Sequence, residues 1–147
     1  MRFPRRFALA LGLLVVGPPS YAADWRLVGV AGGTRQEFDA STIKRQSGST
    51  ITVWTKTVPS EKAIAEIRAK PPQYGAHMRN YSHALSLQAV NCDDKSTGLS
   101  GIIFYDKSGN VIDEAWVPPA EIILKVAAPE TLGDALVKVI CAQSFFR

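Results

Sequence analysis

Two cysteines, Cys92 and Cys141, constrain this chain more than any other feature. A pair so far apart becomes a cross-link only where the surroundings are oxidising. Their meaning therefore depends on whether the chain is exported. Arg2, Arg5 and Arg6 precede an apolar run from Phe7 to Val16, and Gly17, Pro18, Pro19 and Ser20 follow it. Ser20 and Ala22 flank Tyr21 in the small-x-small pattern that signal peptidase accepts. That order predicts a secretory signal over residues 1–22, cleaved after Ala22. A helix of ten apolar residues rises only about 15 Å, half the hydrocarbon core of a bilayer, which argues against a membrane anchor. The Arg5-Arg6 pair resembles a twin-arginine signal only faintly. No cysteine adjoins the cleavage site, and Ala23 offers no thiol for a lipid. The expectation is an exported chain, periplasmic or secreted. Its mature part is expected to have neither a transmembrane segment nor a lipid anchor, so that any association with the outer membrane would run through a partner.

In that setting the two thiols are expected to close a disulfide. In the chain-entropy account, a closed loop of about 50 residues stabilises the fold by roughly 4 kcal/mol. A redox pair would need a spacing closer to C-x-x-C, and metal ligation would need further ligands. Removing the leader also changes the charge balance. Three of the 17 basic residues lie in it, leaving 14 against 13 acidic ones, a net +1. The pI of 9.2 thus describes mostly the leader, and nothing in the charge asks for nucleic acid. Residues 23–147 suit one domain with one core.

Along that domain, Trp25–Val30 alternates as a strand that Gly32-Gly33 breaks. Glu37–Asp39 forms a short strand, and Asp39 and Ser41 fold a turn after it. Past a Ser47-Gly48 turn, Thr50–Val58 is rich in β-branched residues. Ser60 caps a helix with Ala63, Ile64 and Ile67 on one face, which Pro71-Pro72 stops. Residues 71–80 form an irregular excursion. Tyr81–Asn91 alternates, with Tyr81, Leu85, Leu87 and Ala89 opposite Ser82, Ser86 and Gln88. Cys92 then falls by parity on the polar side, so a bulge or a strand-end position is required. Leu99–Tyr105 and Val111–Val117 flank a turn of Asp106, Ser108, Gly109 and Asn110, a hairpin signature. Pro118-Pro119 ends it, and Glu121–Val126 offers an edge strand. Leu132, Ala135, Leu136, Val139 and Ile140 make the stripe of a final amphipathic helix, with Thr131 and Asp134 at its start and Cys141 at its edge. The sum is an α+β fold, an antiparallel sheet of about five or six strands with a C-terminal helix tethered by a disulfide.

The order of these features resembles the surface-adhesin E domain family of small exported proteobacterial proteins. The resemblance is carried by Asp24-Trp25, by Phe38-Asp39-x-Ser41-x-Ile43, by Val53-Trp54 after the Gly48 turn, and by Cys92 at a strand end. Tyr105-Asp106-x-x-Gly109-x-Val111 and Pro129 before the Cys141 helix complete it. It covers residues 24–142 and implies an antiparallel sheet with a disulfide-tethered terminal helix. It also implies a function, since better-known members bind host extracellular-matrix and serum proteins. Those members are lipid-anchored, and this chain lacks the cysteine for that.

Candidate sites are few. His77 and His83, with Asp93 and Asp94, sketch a metal site or a base with its carboxylate, but their spacing fits neither a helix face nor neighbouring strand positions. No G-x-S-x-G elbow is present. Glu61, Glu66, Asp113 and Glu114 read as ordinary helix-face and strand-end carboxylates, and Gly32-Gly33 as a loop without a phosphate-binding pattern. Trp25 and Trp54 read as core, whereas Trp116 beside Pro118-Pro119 is the candidate exposed anchor. Lys44-Arg45 at a hairpin tip, with Lys56 on the returning strand, and the excursion with Tyr74, His77 and Met78 are further contact candidates. The reading is a non-enzymatic envelope binding protein, adhesin-like, with no cofactor or metal, that recognises a protein or matrix partner through Trp116, Tyr74, Lys44 and Arg45. The alternatives are a soluble periplasmic accessory or inhibitor protein and a small hydrolase using His83 and Asp93.

Overall fold

Eight antiparallel strands form one sheet with two faces of different character. The computed structural model describes residues 22–70 and 76–144. The strands are β1 (Trp25–Ala31), β2 (Thr34–Asp39), β3 (Lys44–Ser47), β4 (Thr50–Val58), β5 (Tyr81–Asn91), β6 (Ser96–Asp106), β7 (Val111–Trp116) and β8 (Lys125–Val126). Helix α1 (Glu61–Arg68) follows β4, and α2 (Leu132–Ser144) ends the described chain. The main path is β1-β2-β4-β5-β6-β7, with β3 extending the β4 edge and β8 the β6 edge. The α+β architecture, the antiparallel sheet and the tethered terminal helix are thus as expected. The expected five or six strands match the main path, and β3 and β8 are additions to it.

Pairing sorts the residues by face. Ile51 lies opposite Val90, Val53 opposite Gln88 and Thr55 opposite Ser86. These share the side covered by α2, whose Leu136, Val137 and Ile140 pack with Phe38, Ile51, Val53 and Val90. Thr55 is fully buried there, and its hydroxyl donates to the Ser86 carbonyl at 3.3 Å, so the polar atom is satisfied. Cys92 shares parity with Ser86, Gln88 and Val90, the side expected to be polar. That is the side α2 covers. The disulfide to Cys141 therefore forms just past the end of β5, with Cα atoms 5.6 Å apart. Tyr81 departs from the expected alternation because the register shifts between Tyr81 and His83. It is buried, edge-on to Phe104 at 5.8 Å.

Helix α2 is set slightly differently from its sequence stripe. Val137, not Val139, is buried with Leu136 and Ile140. Val137 stands one turn above Cys141, so the sulfur tether turns that line inward. The expected cap is present. Thr131 Oγ1 accepts from the Asp134 amide at 3.2 Å, and Asp134 accepts from the Glu130 amide at 3.2 Å and from Lys138 at 2.7 Å. Ser60 caps α1 through the Ala63 amide at 3.2 Å, and Ile64 is buried. The hairpin between β6 and β7 turns where expected, with Asp106 accepting from the Ser108 and Asn110 amides at 2.8 Å each. Glu121–Val126 forms less strand than expected. Pro119–Glu121 is a 3-10 turn and only Lys125–Val126 pairs. Within the excursion, Ala76–Asn80 is a 3-10 turn. Residues 1–21 of the leader, and Pro71, Pro72 and Tyr74, lie outside the described residues.

Candidate functional site

The sheet face opposite α2 carries a row of large side chains that no described helix covers. Trp54 on β4 lies opposite Leu87 on β5, Leu87 opposite Gly101 on β6, and Gly101 opposite Trp116 on β7. The glycine organises this row. A Cβ on Gly101 would stand 2.2 Å from the Trp116 ring, so the indole lies across the strand where a side chain is missing. The ring reaches Trp54 edge-on, with centroids 6.0 Å apart and planes at 84°. Trp116 nonetheless remains 51% exposed. The adjacent row reads Lys56, Leu85, Ile103 and Glu114.

A second glycine closes one end. A Cβ on Gly98 would stand 2.7 Å from the Ile123 carbonyl oxygen and 2.9 Å from Leu124, because residues 122–124 cross the face there. That crossing buries Ala89, opposite Gly98. Between Gly98 and Gly101 the register shifts, leaving Ser100 as the extra residue of a bulge. The result is a groove of about 520 Å³. Its floor includes Thr52, Leu87, Ala89 and Ser100, with Gln46 on the β3 side and Trp116, Pro119 and Ile122 on the other. A neighbouring hollow of about 330 Å³ joins Trp54 to Thr42, Lys44 and Gln46.

The sequence candidates are distributed unevenly around this groove. Trp116 is in it, exposed. Trp54, expected in the core, is half-buried on the open face, because alternation assigns the core positions of β4 to Ile51, Val53 and Thr55. Trp25 is half-buried at the start of β1. Lys44 and Arg45 are not at a hairpin tip. They sit in β3, and the turn follows at Gly48. Lys44 pairs with Thr52 and faces the hollow, whereas Arg45 pairs with Ile51, turns to the other side and donates to the Gly48 carbonyl at 3.1 Å. Gln46, Leu87, Gly98 and Gly101 were missed. The available signal was two glycines inside a β-rich run, which mark close approach of another segment.

The histidine–aspartate pairing does not form. His83 is near the start of β5 and Asp93 lies past its end, a run of about 30 Å at strand rise. Asp93 instead accepts from the Ser49 hydroxyl, and Asp94 accepts from the Ser96 amide at 3.0 Å. His83 stacks on Tyr105 with centroids 5.0 Å apart. Burial, and then the Lys56 ammonium, hold its imidazole below the usual range. Burial likewise pushes the Tyr81 phenol up. The Asn110 side chain and the turn amides pull the Asp106 carboxyl down. Glu61 sits in the first turn of α1. Glu66, Asp113 and Glu114 are surface residues. No group of three or more His, Cys, Asp or Glu side chains able to hold a metal occurs among the described residues. No described helix is long and apolar enough to cross a membrane.

The model of the family described as "Surface-adhesin protein E" matches residues 25–142. A solved structure, crystal form II of Haemophilus influenzae protein E, is similar at 13% identity over 79% of this chain and 92% of that chain, with a TM-score of 0.48. No curated protein matches.

Proposed function

The chain belongs to the surface-adhesin protein E family, and on that premise we propose that it is an exported, non-catalytic envelope protein that engages a protein or matrix partner through the sheet face opposite α2. The observation that carries this reading is the Trp116 indole, held across Gly101 against Trp54 and still half exposed. A large, rigid aromatic with fixed geometry, facing hydroxyl and amide groups across the groove, has the make-up of an interface anchor. Lys44, beside Trp54, adds a cation at the margin. Arg45 faces the other way and is left out of the contact.

The test is capture of the processed protein on immobilised matrix and serum proteins, compared with Trp116→Ala. The substitution is expected to weaken capture at least about tenfold. Unchanged capture removes the face from the proposal. Protease treatment of intact cells sets the compartment. Digestion places the protein on the surface, whereas sparing places it in the periplasm and favours an accessory or inhibitor role there.

A further inference from the structure

Chemistry narrows what the groove accepts. None of the described residues lining it is charged, although lysines, arginines and carboxylates occupy the rest of the same surface. A charged ligand would lose its hydration there with no countercharge in the groove itself, since Lys44 lines the neighbouring hollow. A purely apolar segment would cover amide and hydroxyl groups without pairing them. One wall is apolar, formed by Trp116, Pro119 and Ile122. The other carries the hydrogen-bonding groups of Gln46 and Thr50, with Thr52 beside them on the floor. The Gln46 amide donates one hydrogen to Thr52 Oγ1 at 2.9 Å, which fixes its orientation and leaves its carbonyl oxygen as an acceptor. On the floor, Ser100 is 8% exposed, and its hydroxyl has no partner among the described residues.

We infer that this groove is a subsite for an uncharged oligosaccharide carried by the protein or matrix partner. A neutral sugar ring offers a C–H face for the indole and hydroxyls for the opposite wall, both of which the groove requires. At about 520 Å³ the groove has the size of a small-ligand site. The Gly101 gap is the device that presents the indole, so a side chain there disables the subsite without removing any lining group. This inference rests on the proposed binding role and specifies its ligand chemistry.

Calorimetric titration of the processed protein with chitotetraose, maltotetraose and a heparin-derived tetrasaccharide tests it. At least one neutral sugar is expected to bind with a dissociation constant of about 1 mM or tighter, and the sulfated one not to bind. Trp116→Ala and Gly101→Val are each expected to weaken the neutral sugar at least tenfold, with the circular dichroism spectrum and the disulfide retained. Should Gly101→Val misfold, Trp116→Ala alone decides. Absence of binding by both neutral sugars at about 10 mM, equal binding of the sulfated one, or full affinity in Trp116→Ala overturns the inference. Enzymatic deglycosylation of a captured partner separates this inference from the binding role. Capture that needs Trp116 yet survives deglycosylation sinks the saccharide and leaves the binding role. Sugar binding without capture of any matrix protein does the reverse.

Discussion

Single side chains account for motifs that the sequence presents without explanation. Asp39, 6% exposed, accepts from the Asp24 and Ser41 amides at 3.0 Å each and from the Ser41 hydroxyl at 2.6 Å. It ties the entry of β1 to the exit of β2, while neighbouring Phe38 fills the core. The spacing Phe38-Asp39-x-Ser41 is therefore a packing residue followed by a turn hub. Asp39→Ala strands those donors and is expected to cost roughly 2–3 kcal/mol in urea unfolding, with Asp39→Asn recovering part of it. His83 yields a pH prediction. Its folded-state pKa is lowered by burial and by Lys56, so on acidification the unfolded chain takes up the proton first. Stability should fall as pH drops through about 6.5 towards the folded value and level off below it, and His83→Gln should remove that step. An NMR titration placing the His83 midpoint at or above the free-histidine value contradicts this. Trp116 was legible as exposed because prolines follow it. Its support on Gly101 was not, since that contact exists only once β6 and β7 pair.

At the scale of elements, the terminal helix, the Asp106–Asn110 hairpin and the Thr50–Val58 strand were readable because each signal is local: a stripe, a turn composition, a β-branched run. The faces of β5 were separable but not assignable. Leu85, Leu87 and Ala89 look like core by hydrophobicity, yet α2 covers the side with Ser86, Gln88 and Val90. Cys92 held the missing information, since its parity names the side to which the helix is bound. Short β3 escaped notice and β8 was read too long, because each owes its existence to a longer neighbour's edge. The tether can also be removed by itself. Cys92→Ser/Cys141→Ser is expected to lower unfolding free energy by roughly 4 kcal/mol, measured in denaturant against the oxidised protein. A loss below about 1 kcal/mol shows that α2 docks without help from the bond.

Across the whole molecule, the sheet has a covered face that holds the fold and an opposite face that no described helix packs against. Hydrophobicity alone could not announce that division, because both faces carry apolar residues and the parity of Cys92 is what marks the side the terminal helix covers. The sulfur link joins residues 49 apart, and β6, β7, β8 and most of α2 lie between them. Tension applied between the chain ends passes from Cys92 straight to Cys141 and bypasses everything in that ring. Strands β1 to β5 carry the load, while the backbone of Gly98, Gly101 and Trp116 is shielded from it. Single-molecule stretching of the oxidised protein should fall short of the reduced protein's full extension by roughly 170 Å, the length of the bypassed segment at about 3.5 Å per residue. Equal extensions show that the ring is open. One wall of the groove would thus remain anchored to an unbroken loop while the other side is pulled.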